Sequence, residues 1–185
     1  MFLLVVLVVS IVIALIRGGK ITHFADLNLR WRGVILIGFL IQVLIFSNYW
    51  QSKPDTKALT QYGYIASNVI LLIALVYNYR IPGMPLLTLG LVLNASAIIA
   101  NGGYMPASPE ALALSGLPPL APGQISNNSI GMDANTQLFF LADIFAIPKG
   151  FPRSNVFSIG DTLIAVGAVW LTQKAMVKPH LRPQT

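Results

Sequence analysis

The feature that most constrains this chain is a series of long apolar runs. The first is MFLLVVLVVSIVIALI, residues 1–16, and it contains no charged residue. Further apolar runs cover residues 33–50, 59–79, 86–100 and 159–177. Because a helix rises about 1.5 Å per residue, runs of this length approach the roughly 30 Å hydrocarbon core of a bilayer. The sequence therefore predicts about five transmembrane helices.

The composition agrees with a chain that uses lipid as its solvent. Charged residues make up 10% of the sequence, whereas soluble domains have about 25%. We therefore expect residues 1–185 to form a single integral membrane domain. The formal net charge of +6 does not indicate nucleic-acid binding, because the basic residues flank apolar runs rather than forming a basic surface with aromatics.

The basic residues predict the orientation, because cytoplasmic loops of membrane proteins carry an excess of Lys and Arg. With five spans, the cytoplasmic side has eight of them: Arg17, Lys20, Arg30, Arg32, Arg80, Lys174, Lys178 and Arg182. The outside has four: Lys53, Lys57, Lys149 and Arg153. We expect a multi-pass protein of the inner (plasma) membrane with its N-terminus outside and its C-terminus in the cytoplasm.

Two segments outside the five runs complete the predicted fold. Residues 101–135 are rich in Pro, Gly and Asn and predict a long outer loop, with a short helix near 110–114. The run QLFFLADIFAI, residues 137–147, has 11 residues and is too short to span a bilayer as a helix. The predicted fold class is all-α: a polytopic transmembrane helix bundle of about five spans plus one short re-entrant or interfacial helix at 137–147.

Two aspartates stand within apolar sequence, where ionisable residues are functional candidates. Asp161 belongs to Ser158-Ile-Gly-Asp161, an S-x-x-D pattern that predicts a capping box at a helix start, although a ligand or proton role stays open. Asp143 has no opposite charge within four residues. Lys149 or Arg153 are its candidate ion-pair partners; the alternative is a substrate-facing or proton-accepting role.

The remaining polar residues give little sign of catalytic or cofactor chemistry. Uncharged polar side chains inside the apolar runs predict hydrogen bonds between helices; they are Gln42, Ser67, Asn68, Asn94 and Ser96. There is no cysteine, and both His23 and His180 fall outside the apolar runs. We therefore predict no catalytic residue, metal site or cofactor.

Three stretches together resemble an uncharacterised bacterial family of small multi-pass membrane proteins, a domain of unknown function. They are NGGYMP at 101–106, LADIF at 141–145 followed by Pro148, and FSIGD at 157–161. The resemblance covers most of the chain and is strongest between residues 101 and 167. It implies an architecture and a shared structural region, and it implies no activity.

With the predicted topology, the three stretches meet at the outer face. The candidate ligand-binding residues there are Asn101, Asp143, Asn155, Ser158 and Asp161. The first functional hypothesis is a non-catalytic protein that binds a lipid, a small amphiphile, partner membrane subunits or a second copy of itself. The alternatives are a small transporter, or its substrate-binding component, that uses Asp143, and a membrane enzyme for lipid-linked substrates that pairs Asp143 with Asp161.

Overall fold

The computed structural model describes residues 2–51, 56–151 and 153–177 of the 185-residue chain, and this part is mostly helical. The α-helices are α1 Phe2–Ile16, α2 Arg32–Ile45, α3 Asn48–Gln51, α4 Lys57–Tyr77, α5 Met84–Ala100, α6 Pro109–Ser115 and α7 Ile159–Met176. A 3-10 helix, Ile21–Asp26, follows α1. The predicted charge count included Lys53, Lys178 and Arg182, and these residues lie outside the described ranges, as does His180.

The five long helices pack side by side as α2, α4, α5, α7 and α1. At one end of this bundle, where α1 and α7 finish, Arg17 donates a hydrogen bond of 2.8 Å to Gln173. At the other end, where they begin, the ring of Phe2 stacks on Phe157 at 4.8 Å. Helices α1 and α7 therefore run in the same direction. Successive long helices along the chain alternate in direction.

Glycines let α5 and α7 approach closely. A methyl group added at Gly90 would meet the carbonyl oxygen of Gly160, and one added at Gly160 would meet that of Gly90. Gly83 and Gly167 oppose each other in the same way one heptad further along. Small residues at a helix interface let two backbones approach closely, as they do between helices that pack within a bilayer.

Residues 101–158, between α5 and α7, form a cap on the bundle that contains β-strands. In the first sheet, β3 (Ser129–Gly131) lies between the parallel β1 (Met105–Ala107) and the antiparallel β2 (Ile125–Ser126). In the second, β4 (Phe145–Ile147) pairs antiparallel with β5 (Asn155–Phe157). The prediction of an all-α chain is therefore wrong within the cap.

The run 137–147 is not a re-entrant helix. Leu138 has a positive φ of 51°, a single 3-10 turn covers Phe139–Leu141, and the chain then extends into β4. The backbone N–H of Asp143 donates to the carbonyl of Pro106 at 2.9 Å. Pairing with β1 and β5 thus outweighs the helical preference that the apolar composition of this run indicated.

The short helix predicted near 110–114 is confirmed as α6. Ser108 caps its start by accepting from the N–H of Ala111, and Gly116 ends it in the left-handed conformation. The helix packs through Ala111 and Leu112 on β1 and β5, where Ala107 and Val156 complete a small buried core. The cap therefore has an apolar core separate from the bundle.

By length and composition, one helix in the described ranges is long and apolar enough to cross a membrane: α4, at Ala58–Tyr77. Helices α1, α2 and α5 are apolar but shorter. The run predicted at 33–50 is divided, because α2 ends at Ile45 and α3 begins at Asn48.

Candidate functional site

A cavity of about 520 Å³ lies between the cap and the bundle end at which α1 and α7 begin. Its apolar wall includes Phe2 and Leu3 of α1, Leu112 of α6 and Val156 of β5. Its polar lining comes from the β2–β3 hairpin, residues 126–129, and from Asp143, Asn155 and Asp161. We call this space the cap cavity; its mixed apolar and polar wall is typical of a small-molecule site.

Asp143 is held rigidly by its backbone at the edge of β1. Its N–H donates to Pro106, and its carbonyl accepts from the N–H of Ser108 at 3.0 Å. The residue is 8% exposed. Its carboxyl atom Oδ1 is buried and has no hydrogen-bond partner among the described residues. An unpartnered carboxylate oxygen that lines a cavity offers an acceptor to a ligand, because leaving it unpaired carries the full cost of its desolvation.

Burial raises the pKa of Asp143 from 3.8 to about 7, and the negative charge of Asp161 adds to the rise. The candidate partners Lys149 and Arg153 are not among the causes of this shift. The ion pair of Asp143 with Lys149 or Arg153 stays a prediction. The stem of Lys149 lies against Gly116, at the end of α6. At neutral pH the Asp143 carboxyl is therefore divided between its acid and carboxylate forms.

The predicted capping box at Ser158 and Asp161 is confirmed. The Ser158 hydroxyl accepts from the N–H of Asp161 at 2.9 Å, and the Asp161 carboxylate accepts from the N–H of Ser158 at 3.2 Å. Asn94 of α5 joins this box from the next helix, donating to Asp161 at 2.8 Å and accepting from the Ser158 hydroxyl at 2.7 Å. Both oxygens of Asp161 are thus engaged in fixing the start of α7.

The predicted hydrogen bonds between helices are confirmed for some residues and wrong for others. Asn94 links α5 to α7, and Gln42 of α2 donates to Ser67 of α4 at 3.2 Å. Asn68 and Ser96, in contrast, donate to carbonyls of their own helices.

The five candidate site residues are brought to the cap end of the bundle, but they do not all line one space. Asp143, Asn155 and Asp161 line the cap cavity. Ser158 is fully buried behind Asp161. Asn101 bonds to both the N–H and the carbonyl of Gln137, at 2.9 and 2.8 Å, and so fixes the start of the 137–147 run.

Sequence reasoning missed the rest of the cavity wall. In the sequence, Asn127, Asn128 and Ser129 match only the three-residue glycosylation sequon, a pattern of low specificity. Phe2 and Leu3 gave no signal at all, because nothing distinguishes them from the other apolar residues of α1. Contacts between residues far apart in sequence create this wall, so a local pattern does not reveal it.

The cavity gives no sign of a metal centre. Within the described ranges, no group of three or more His, Cys, Asp or Glu side chains is placed to hold a metal ion. Two carboxylates line the space, and one of them is already bonded to Ser158 and Asn94.

Comparison with known proteins identifies the family. The model of a family of unknown function, DUF5317, matches residues 26–173. The chain belongs to this family. The matched part of DUF5317 includes the cap, α7 almost to its end and all the polar residues of the cap cavity, which confirms the expected membership of an uncharacterised family.

A relative from Thermotoga maritima, described as an uncharacterized protein, is 26% identical over 152 residues. The alignment covers 82% of this chain and 79% of the relative. No solved structure matches the chain.

Proposed function

We propose that this chain is a multi-pass membrane protein whose five long helices cross the bilayer, and that it binds a small amphiphile in the cap cavity on the outer face. The architecture and the binding role rest on different observations.

Exposed apolar side chains support the membrane architecture. In α1, nine large aliphatic side chains are exposed: Leu4, Val5, Leu7, Val8, Val9, Val12, Ile13, Leu15 and Ile16. In α2, at the other end of the row of helices, Leu36, Phe39 and Val43 are also exposed. Soluble monomers rarely leave so many large apolar side chains of one helix in water. Lipid chains would cover these side chains, and the close glycine contacts between α5 and α7 are of the kind that helices form within a bilayer.

The distribution of charge supports the predicted orientation. One end of the bundle, which we call the basic end, has six basic residues in the described ranges: Arg17, Lys20, Arg30, Arg32, Arg80 and Lys174. Asp26 is the one described acidic residue there. At the cap end, Lys57, Lys149 and Arg153 are outnumbered by Glu110, Asp133, Asp143 and Asp161. Cytoplasmic loops of membrane proteins carry an excess of Lys and Arg. This rule supports an orientation with the basic end in the cytoplasm and the cap outside.

The helix lengths fit a bilayer only with some adjustment. The five long helices have 14 to 21 residues and therefore measure about 21 to 32 Å. Helices α1 and α2 are shorter than an average hydrocarbon core, and local thinning of the bilayer accommodates such a mismatch at modest cost.

The unpartnered Oδ1 of Asp143 is the observation that carries the binding role. An apolar wall formed by Phe2, Leu3 and Leu112 suits a short hydrocarbon tail. The carboxyl group and the amide of Asn155 suit a polar head. A ligand with both parts would fill the cavity and complete the hydrogen bonding of Asp143.

The structure favours binding over the alternative functions. A pair of catalytic carboxylates would need Asp161 to be available, but the capping box and Asn94 occupy both of its oxygens. Transport through Asp143 would place the carboxylate at the bilayer midplane, whereas Asp143 lies in the cap, beside β1.

Native mass spectrometry of the protein, extracted gently from its own membranes, tests the binding role. We expect the wild type to retain a stoichiometric small molecule and Asp143→Asn to lose it. Asp133→Asn is the matched control, because Asp133 is exposed in the cap and its described hydrogen bonds lie within its own turn. A wild type without any bound small molecule, or equal occupancy in all three proteins, would contradict the proposal. A co-purifying protein chain in place of a ligand would indicate an accessory subunit.

A further inference from the structure

We infer that the head group which the cap cavity accepts is a protonated amine, carried on a short apolar tail. This inference rests on the proposed binding function and specifies the chemical class of the ligand.

The charge of the cavity wall carries the argument. The two ionisable side chains in the lining are Asp143 and Asp161, and both are acids. Lys, Arg and His are absent from the described lining. An anionic head would face two carboxyl groups and no Lys, Arg or His of the described lining, which is unfavourable in a partly desolvated space. A cationic head, in contrast, gains from both acids.

The geometry indicates which acid the amine would contact. Both oxygens of Asp161 accept hydrogen bonds from the protein, whereas Oδ1 of Asp143 accepts none within the described ranges. An ammonium group has three donors and no acceptor, so it can satisfy Oδ1 of Asp143 and still donate to side-chain oxygens of the cavity rim. Asn155 and Asn128 offer amide oxygens there. A hydroxyl head could bond to the same oxygens, but it would gain no charge attraction.

Binding of an ammonium ligand at Asp143 should depend on pH. The groups that face Asp143 are Asp161 from α7 and Tyr64 from α4, and the positive charge of the amino terminus lowers the pKa of Asp143. An ammonium ligand acts in the same direction as the amino terminus, because it favours the ionised carboxylate. Its affinity should therefore fall as the pH drops below about 7, the pKa of Asp143 in the free protein.

A matched series of six-carbon probes tests the inference. Hexylammonium, hexanol and hexanoate share one tail and differ in the charge of the head. Each is titrated calorimetrically into the full-length protein in phosphatidylcholine nanodiscs, with empty nanodiscs as the blank. We expect hexylammonium to bind at least tenfold more tightly than hexanol at pH 8, and hexanoate to bind more weakly still. Between pH 8 and pH 5.5, hexylammonium affinity should fall at least tenfold, while hexanol affinity stays constant.

The variants separate the possible outcomes. Asp143→Asn should reduce hexylammonium affinity to the level of hexanol, and Asp133→Asn should leave it unchanged. If hexanol binds wild type as tightly as hexylammonium, or if Asp143→Asn retains the preference for the amine, the amine inference is wrong while the binding function stands. If none of the three probes binds, the binding function itself fails.

Discussion

Replacing Asp143 with asparagine should stabilise the folded protein, and the gain should be larger at pH 8 than at pH 5. The pKa of this buried carboxyl is raised from 3.8 to about 7. An acid with a raised pKa does not oppose folding below pH 3.8, where it is protonated in both states. As the pH rises from 3.8 to 7, the unfolded chain ionises more readily, so the folded state loses stability.

The size of the effect follows from the shift. A pKa raised from 3.8 to about 7 corresponds to about 4 kcal/mol of lost folding stability above pH 7. At pH 5 the loss is only about 1 to 2 kcal/mol. Asparagine has the same shape and no charge to desolvate. Its advantage over aspartate should therefore grow by about 2 to 3 kcal/mol between pH 5 and pH 8.

Thermal unfolding in detergent, followed by tryptophan fluorescence at both pH values, measures this difference. For a chain of this size, 1 kcal/mol moves Tm by about 2 to 4 °C. The Tm gain of Asp143→Asn should thus be several degrees larger at pH 8 than at pH 5, with Asp133→Asn close to the wild type throughout. An Asp143→Asn gain that is equal at the two pH values, or a loss at pH 8, would refute the assignment of Asp143 as an acid with its pKa raised by burial.

Two further predictions concern the packing that positions the cavity. Gly90→Ala should destabilise the protein by about 1 to 3 kcal/mol, because the new methyl group meets the carbonyl of Gly160. Gly33→Ala has open space around it and should be neutral; equal Tm values for the two variants would argue against the close α5–α7 contact. Ser158→Ala should cost about 1 to 2 kcal/mol through loss of the helix cap, and more than Ser96→Ala, which removes a bond within one helix. Equal losses of Tm would show that the capping network is not stabilising.

The sequence predicted the helices well for a physical reason. Apolar runs of 14 or more residues have few stable alternatives to a helix, and the S-x-x-D pattern located the start of α7. The strands of the cap have only two or three residues each, too few for an alternating pattern to be visible. The pairing of Met105 with Ser129 joins two segments that are more than 20 residues apart.

The run 137–147 shows why apolar composition alone predicted the wrong secondary structure. Its residues are as apolar as those of a helix, but the left-handed Leu138 and the bonds of Asp143 to Pro106 and Ser108 place it in the cap.

The candidate site was predictable in part. Asp143 and Asp161 were distinguished by charge within apolar sequence, whereas the other cavity residues become neighbours only through the fold.

The proposal depends most directly on five helices crossing the bilayer with the cap outside. Because the chain has no cysteine, single cysteines can report each side. Ala134→Cys lies exposed in the cap, and Thr22→Cys lies exposed at the basic end. With a membrane-impermeant maleimide and intact cells, Ala134→Cys should be labelled directly and Thr22→Cys only after permeabilisation. Labelling of both positions in intact cells, the reverse pattern, or recovery of the protein in the soluble fraction would contradict the account.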